Sequence, residues 1–131
     1  MQTEQGSIIN LEEIDYQQFD GDTVYRDLDI LLETTHSLEQ LLDTFFFEIQ
    51  LWISSDGMHF SNVARNVKHE VGFDSRNKCH YRLYRGANYL GEICFFRKTR
   101  YSLDELELIE ELVTMLIEPL QLSMAHHTKM V

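Results

Sequence analysis

Apolar side chains recur at intervals of three and four residues in three segments, and this spacing predicts three α-helices. The first begins near Thr23, and its shared apolar face consists of Val24, Leu28, Leu31 and Leu32. The second covers residues 37–51, where Ser37 and Gln40 form a capping box at the start. Its apolar stripe consists of Leu38, Leu41, Leu42, Phe45, Phe46 and Ile49. A stripe of this width predicts a helix that packs into a core.

The third helical segment, residues 102–126, begins with a second capping box, formed by Ser102 and Glu105. Two apolar stripes follow on neighbouring faces of the predicted helix. One consists of Leu106, Ile109, Val113, Leu116 and Leu120, and the other consists of Leu108, Leu112 and Met115. Pro119 lies within this helix and removes one backbone hydrogen bond, so we expect a kink near Met115 or Leu116.

The region between the second and third helices predicts β-strands. Residues 49–63 indicate two short strands around a reversal at Asp56-Gly57, whereas residues 63–77 are interpreted as a loop that contains at most one short strand. The clearest hairpin covers residues 78–97. Its two-residue turn is Gly86-Ala87, because the first position of such a turn needs the positive φ that glycine adopts without strain.

This turn predicts a register that places Tyr84 opposite Tyr89 and, further along, Cys79 opposite Cys94. The face expected to meet the helices then consists of Cys79, Tyr81, Leu83, Leu90, Glu92, Cys94 and Phe96. The other face consists of His80, Arg82, Tyr84, Tyr89, Ile93 and Phe95. The two cysteines are expected to fill the core side by side, and a reversible cross-strand disulfide is the alternative.

These elements predict a single α+β domain. Its antiparallel sheet has four to five strands, with helices 37–51 and 102–126 packed on one face and the second of them forming a long C-terminal helix. Residues 1–22 are interpreted as a flexible acidic arm, since the first twenty or so show no sustained pattern. Residues 23–126 then form the folded domain, and residues 127–131 begin a linker helix.

Charge and hydropathy narrow the expected partners. The chain of 131 residues contains neither a membrane-spanning apolar run nor a recognisable signal peptide, so a cytoplasmic location and no membrane contact are expected. The net charge is −11, yet residues 61–100 hold nine of the 11 Lys and Arg residues and only three acidic ones. Because the rest of the chain is strongly acidic, nucleic acid is not an expected partner. The basic segment is either a solvated loop region or a surface that faces an acidic helix.

No motif in the sequence predicts a metal site, a cofactor or catalytic residues. The six histidines show no helical ligand spacing, and no serine or cysteine lies in a recognisable nucleophile motif. A small-ligand site is predicted instead among aromatic and basic side chains: Trp52, Arg65, His80, Arg82, Tyr84 and Tyr89. Such side chains suit planar or anionic ligands, and they are equally compatible with an ordinary half-exposed sheet face.

The last helix also predicts an association surface. One of its stripes can pack on the sheet and leave the other for a partner, or both can form one broad core-facing surface. Together with the first helix, a free stripe would give a homodimer through N- and C-terminal helices. The residues assigned to dimerisation and signal transmission are Leu28, Leu31, Leu108, Leu112, Met115, Leu116, Pro119 and Leu120.

The stretch YLGEICFFRKTRYSLDELELIE resembles the last strand, basic turn and final helix of a GAF-type sensory domain. The matching positions are Leu90, Gly91, Glu92, Ile93, Phe95, Tyr101, Ser102, Glu105, Leu106 and Glu110. More narrowly, the part from CHYRL to IEPLQLSMAHH is similar to the compact regulatory region that precedes GGDEF domains in some bacterial diguanylate cyclases. The resemblance covers about residues 24–131.

This resemblance implies a GAF-like fold and a non-catalytic regulatory role. The domain would dimerise and pass a signal through its C-terminal helix to a covalently linked GGDEF domain, which makes cyclic di-GMP from GTP. The GGDEF signature is absent from this sequence, and residues 63–77 are too few to roof a large enclosed cofactor. The alternatives are a ligand-binding GAF-like module that serves a kinase or transcription factor, and a freestanding adaptor that binds an acidic partner through residues 65–100.

Overall fold

The computed structural model describes residues 3–10 and 37–129, in which five β-strands form one sheet that packs against two α-helices. The strands are β1 (Thr3–Asn10), β2 (Gly57–Asn62), β3 (Val67–Gly72), β4 (Asn77–Arg85) and β5 (Asn88–Arg97). A short 3-10 helix, Val63–Arg65, joins β2 to β3, and the α-helices are α1 (Leu38–Ile49) and α2 (Leu103–Lys129). The predicted α+β class and the long C-terminal helix are confirmed, and the number of strands falls within the predicted four to five.

The sheet is mixed, so the prediction of a wholly antiparallel sheet is wrong. Its strand order is β1-β4-β5-β2-β3, and β1 lies parallel to β4 with Ile9 opposite Leu83. Residues 3–10, which were assigned to a flexible arm, therefore form an edge strand. The sequence signal was weak because Ile9 is buried whereas the adjacent Ile8 is 63% exposed. A parallel edge strand also lacks the tight turn that makes a hairpin recognisable.

Both helices pack on the same face of the sheet, as predicted. The core between them is continuous, and the ring centroids of Phe45 on α1 and Phe95 on β5 lie 6.4 Å apart. Helix α1 contacts β3, and α2 contacts β1 and β4. The face of the sheet opposite the helices is called the outer face below. None of the helices among the described residues is both long and apolar enough to cross a lipid bilayer.

Capping hydrogen bonds at Ser37 and Ser102 fix where the helices begin, and Ser102 shows both bonds of a capping box. The Ser37 hydroxyl accepts from the Gln40 amide at 3.0 Å. At α2, the Glu105 amide donates to the Ser102 hydroxyl at 3.1 Å and the Glu105 carboxylate accepts from the Ser102 amide at 2.9 Å. These bonds satisfy backbone donors that would otherwise lack partners in the first turn. Pro119 lies inside α2, and the kink expected near it stays a prediction.

The segment between α1 and β2 differs from the prediction. After Ile49 the chain forms turns, with the amide of Ile53 donating to the carbonyl of Ile49 at 2.9 Å, so the first of the two predicted short strands does not form. Residues 63–77 contain the 3-10 helix and β3, which is the one short strand allowed there. The predicted first helix, including Leu28 and Leu31, lies outside the described residues, as do most of the arm and residues 130–131.

The β4–β5 hairpin has the predicted turn but a shifted register. Tyr84 lies opposite Tyr89 as predicted, whereas Leu83 pairs with Gly91 because the ladder is irregular between Leu83 and Tyr84. One extra residue on β5 moves every later side chain of that strand to the other face. Glu92, Cys94 and Phe96 therefore belong to the outer face, and Ile93 and Phe95 belong to the core.

This shift overturns the predicted cysteine pair. Cys79 lies opposite Phe95 and faces the core, whereas Cys94 lies opposite His80 on the outer face. Both cysteines are free thiols. Because their side chains leave the sheet in opposite directions, they neither fill the core together nor can form the alternative cross-strand disulfide.

Candidate functional site on the outer sheet face

The strongest candidate site is a cleft of about 370 Å³ on the outer face, near the β4–β5 turn. Its walls come from the end of β2, the 3-10 helix and the tip half of the hairpin. The lining residues are Ser61, Val63, Ala64, Arg82, Tyr84, Tyr89 and Glu92. The cleft is named the outer-face cleft below.

Asn62 fixes the wall formed by the β2–β3 connection. Its side chain is buried, donates from Nδ2 to the carbonyl of Leu90 at 3.1 Å and accepts at Oδ1 from the amide of Arg65 at 3.2 Å. Asn66 then adopts φ 57°, a left-handed conformation that asparagine tolerates better than most residues, and turns the chain into β3. The 3-10 helix is thereby tied to the start of β5, beside the aromatic wall.

Gly91 allows β2 and β5 to approach closely next to the lining residue Glu92. Its φ is +145°, and a Cβ atom on it would lie 2.6 Å from Cζ of Phe60 and 2.7 Å from the carbonyl oxygen of Ser61. Glycine is therefore required both by the backbone conformation and by the available space. The same residue produces the bulge that directs Glu92 outward, so the bulge supplies the cleft with its carboxylate.

The aromatic wall of the cleft consists of Tyr84 and Tyr89, whose ring centroids lie 5.3 Å apart at an interplanar angle of 55°. Such tilted pairs are a favourable arrangement for aromatic quadrupoles. Partial burial, together with the nearby Glu92 carboxylate, raises the pKa of Tyr89, and Arg82 partly offsets this shift. The phenol of Tyr89 is therefore neutral at physiological pH and can donate a hydrogen bond.

Arg82 and Glu92 place opposite charges side by side in the cleft, with Arg82 Nε 3.8 Å from Glu92 Oε2. His80 Nδ1 lies 3.7 Å from the same carboxylate oxygen. These distances exceed hydrogen-bonding range, and the Arg82 side chain is 60% exposed, so its guanidinium is accessible to an incoming group. Stacking on tyrosine and pairing with arginine are binding interactions, and together they suit a small planar molecule that carries a polar or anionic group.

Three of the six predicted ligand residues line this cleft, namely Arg82, Tyr84 and Tyr89. His80 lies on the outer face two residues before Arg82 on β4, with its ring over Gly6 of β1. Arg65 belongs to the 3-10 helix, beside the lining residue Ala64, but is not part of the lining. Trp52 packs against the core after α1 and lies away from the other five.

Sequence reasoning missed four lining residues: Ser61, Val63, Ala64 and Glu92. Ser61 lies in the second of the two predicted short strands, and Val63 and Ala64 lie at the start of the segment that was interpreted as a loop. Glu92 was assigned to the core face, and a carboxylate in a core strand next to a glycine is the signal that could have revealed the bulge. Among the described residues, no group of three or more His, Cys, Asp and Glu side chains could hold a metal ion.

A contact at the tip of the hairpin connects the cleft to α2. Arg85 directly follows the lining residue Tyr84, and its guanidinium reaches the opposite side of the sheet. Arg85 Nη1 donates to Gln121 Oε1 at 3.0 Å and lies 3.9 Å from Glu118 Oε1. These two partners flank Pro119 on α2. One strand segment therefore contributes Tyr84 to the cleft and Arg85 to the helix.

The tip is held from a second side by β1. Asn10 Nδ2 donates to the carbonyl of Gly86 at 3.1 Å, and the amide of Gly86 donates to Asn10 Oδ1 at 3.0 Å. This paired contact restrains the turn between Tyr84 and Tyr89. The hairpin tip is consequently well fixed relative to both β1 and α2.

Of the eight residues predicted for dimerisation, six belong to the described residues, and four of these lie in the core of this chain. Leu112, Met115, Leu116 and Leu120 are buried, whereas Leu108 and Pro119 are half-buried. The two stripes of α2 thus form one broad core-facing surface, which was the alternative interpretation. The physical reason is that α2 contacts α1 as well as β1 and β4, so neighbouring faces of the helix are both covered. The homodimer itself stays a prediction.

Comparison with protein families, with curated proteins and with solved structures finds no match to this chain.

Proposed function

We propose that this chain is a regulatory domain that binds a small planar ligand in the outer-face cleft and transmits its occupancy to α2. The observation that carries the proposal is the pair of neighbouring residues at the hairpin tip. Tyr84 lines the cleft, and Arg85 contacts Gln121 and Glu118 on α2. A ligand that moves the Tyr84 ring displaces the same stretch of backbone that positions Arg85.

The position of Pro119 between the two Arg85 partners supports α2 as the responding element. Proline lacks the amide that would bond the carbonyl four residues earlier, so a helix bends more easily at this point. Arg85 contacts Glu118 before Pro119 and Gln121 after it. Loss or movement of the Arg85 contact therefore has a defined consequence, which is a change in the direction of α2 beyond Pro119.

The proposed output is a GGDEF-type diguanylate cyclase domain linked to α2. Its support is the sequence resemblance of residues 90–110 to the end of a sensory domain, together with the long final helix that follows. A small change in the direction of a linking helix can alter how two catalytic domains meet. The chain would then act without catalysing a reaction itself.

The output is tested with the full-length protein that the gene encodes. If a GGDEF domain follows Val131, the purified protein should convert GTP to cyclic di-GMP, and Arg85→Gln should change that rate by about fivefold or more. Arg76→Gln is the matched control, since Arg76 is exposed on the loop before β4. A different output domain, or a stop codon, would remove the cyclase from the proposal. An unchanged rate in Arg85→Gln would remove the transmission route.

The ligand site is tested on the isolated chain with planar purine nucleotides and small anions as probes. A probe that binds in the cleft should raise the thermal midpoint of the wild type and raise it much less in Arg82→Ala and Tyr89→Ala. Arg76→Ala should respond as the wild type does. Stabilisation that is equal in all four proteins would place the binding site outside the cleft.

A further inference from the structure

Among the described residues, no strand pairs with the edge of β3 that faces away from β2. β3 is the last strand in the sheet order, so only one of its sides pairs with a described strand, β2. The amide of Phe73 donates to the carbonyl of Asp56 at 3.1 Å, and Gly72 lies opposite Gly57. Hydrogen-bonded and non-hydrogen-bonded pairs alternate along an antiparallel ladder. Phe73 and Asp56 are bonded, so the next pair, Gly72 and Gly57, is not, and neither are the pairs that contain Glu70 and Lys68. The backbone N–H and C=O groups of Lys68 and Glu70 therefore point away from β2.

The side chains on this edge carry opposite charges two residues apart. Lys68 and Glu70 are both on the outer face, 74% and 49% exposed, with Lys68 Nζ 3.2 Å from Glu70 Oε1. A lysine on an edge strand usually discourages pairing with another chain. Here the positive charge of Lys68 can be matched by the negative charge of Glu70 from a second copy. This requires that two copies of β3 run antiparallel about a two-fold axis at His69.

In that register Lys68 of one copy lies opposite Glu70 of the other, and the reverse pair forms on the other side of the axis. Both residues have outward backbone groups, so each pair can exchange two main-chain hydrogen bonds. Centring the axis on Lys68 or on Glu70 would instead place like charges directly opposite, which is unfavourable. The sequence of the edge thus favours one self-complementary register over its neighbours.

The helix side of the same edge offers apolar surface. His69 Nε2 lies 2.7 Å from Asp43 Oδ1, which ties one flank of α1 to β3. Phe47 follows Asp43 by one helical turn on that flank and is 65% exposed. Val67 and Val71 also face the helix side, and the two-fold register places them opposite each other across the axis. An exposed phenylalanine beside an open edge is the feature expected of an interface.

We propose that this chain forms a homodimer through antiparallel pairing of β3 with β3 of a second copy, which makes one continuous ten-stranded sheet. This interface uses neither stripe of α2, and it includes neither the residues that line the outer-face cleft nor Arg85 and its partners. It therefore does not depend on the proposed regulatory function. A single edge pairing buries a modest area, so the dimer is weak and concentration-dependent.

The test is sedimentation equilibrium of the full chain over a concentration series, with a charge-swap cycle at the edge. Wild type should dimerise, and Lys68→Glu or Glu70→Lys alone should weaken dimerisation about tenfold or more, because each creates two like-charge pairs. The double variant Lys68→Glu/Glu70→Lys restores opposite charges and should return the dissociation constant to near the wild-type value. Glu107→Lys on the exposed side of α2 is the matched control and should have no effect.

Circular dichroism of each variant establishes that it is folded, and amide exchange gives an independent readout. The amides of Lys68 and Glu70 should exchange more slowly as the wild-type concentration rises. A wild type that stays monomeric up to about 1 mM overturns the proposal, and leaves an extended peptide of another protein as the remaining occupant of this edge. A dimer that neither single variant weakens, or that the double variant fails to restore, also overturns it.

Discussion

Arg97 at the end of β5 and Glu105 in the first turn of α2 form a two-pronged ion pair. Arg97 Nη1 lies 2.7 Å from Glu105 Oε2, and Nη2 lies 2.5 Å from Oε1. The guanidinium carbon also lies 4.1 Å from the ring centroid of Tyr101, whose hydroxyl is 2.8 Å from Ser55 Oγ. The pair anchors the start of α2 to the sheet, whereas the Arg85 contact lies in the second half of the helix.

The ion pair makes stability depend on pH in a defined window. The hydrogen bonds from Arg97 hold the pKa of Glu105 at about 2, well below the ordinary value of 4.5. Because the folded-state pKa is depressed, the contribution is complete above about pH 4.5 and is lost as the pH falls towards 2. Glu105→Gln should therefore lower the free energy of unfolding at pH 7 by about 1–3 kcal/mol. The loss is no larger because Glu105 is 32% exposed, so solvent partly screens its ion pair.

Urea unfolding at several pH values checks this prediction. The difference in unfolding free energy between wild type and Glu105→Gln should shrink as the pH falls from 4.5 to 2. Glu107→Gln, at an exposed position of the same helix, should cost less than about 0.5 kcal/mol. A difference that stays constant over this pH range would show that Glu105 acts through something other than its charge.

Gly91 should be the glycine of the hairpin that is least tolerant of substitution. Gly91→Ala combines an unfavourable φ with three contacts under 3 Å, and should lower the free energy of unfolding by about 2–4 kcal/mol. Gly86→Ala is the matched control: its φ is +61°, and the cost is about 1 kcal/mol. Chemical denaturation measures both, and equal costs would contradict the account of the bulge.

The two cysteines should remain thiols in the folded protein under mild oxidation. They face opposite sides of the sheet, and burial raises the pKa of Cys79 to about 12. Cys79 is therefore protonated at neutral pH and should react with iodoacetamide only when the protein unfolds. Mass spectrometry after oxidation and alkylation, in native buffer and in denaturant, measures this. An intramolecular disulfide formed under native conditions would contradict the register of β4 and β5.

Leu116 tests whether α2 is a core helix. Leu116 is fully buried, so Leu116→Ala should lower the free energy of unfolding by about 2–5 kcal/mol. Leu122, on the same helix, is 68% exposed, and Leu122→Ala should change it by no more than about 0.5 kcal/mol. Comparable small effects of both substitutions would mean that the Leu116 side chain is free for another role, such as the predicted helical dimer.

Sequence patterns predicted the parts of the fold that depend on interactions between residues close together along the chain. The capping boxes at Ser37 and Ser102 and the turn at Gly86 were recognisable because each depends on residues that are neighbours in sequence. The register of the hairpin failed at Gly91, where the close approach of Phe60 and Ser61 decides the backbone conformation. That approach involves a strand about thirty residues away, and no pattern within the hairpin encodes it fully.

The same difference between local and long-range contacts explains which residues of the outer-face cleft could be predicted. Arg82, Tyr84 and Tyr89 could be predicted because they lie on one face of a recognisable strand pair. Ser61 and Ala64 could not, since both depend on long-range contacts. Ser61 lies opposite Glu92 because β2 pairs with β5, and the 3-10 helix that contains Ala64 is held beside the hairpin by the bond from Asn62 to the carbonyl of Leu90. Alternating aromatic and basic residues therefore predicted one wall of the cleft, and tertiary packing supplied the other.

The proposed regulatory function requires that the outer-face cleft and α2 are coupled through Arg85. The most direct measurement is the backbone amide chemical shifts of Glu118, Gln121 and Leu122 by nuclear magnetic resonance, in variants that alter only the cleft. Tyr89→Ala removes the partner of the Tyr84 ring, and Val63→Ala alters the opposite wall as a matched control. Each is compared in the wild-type and in the Arg85→Gln background.

If Arg85 couples the cleft to α2, Tyr89→Ala should shift the amide signals of Glu118, Gln121 and Leu122 when Arg85 is present, and the response should disappear in Arg85→Gln. Val63→Ala should leave these signals unchanged in both backgrounds. Unchanged α2 signals in Tyr89→Ala, or a response that persists without Arg85, would contradict the proposed route from the cleft to the helix.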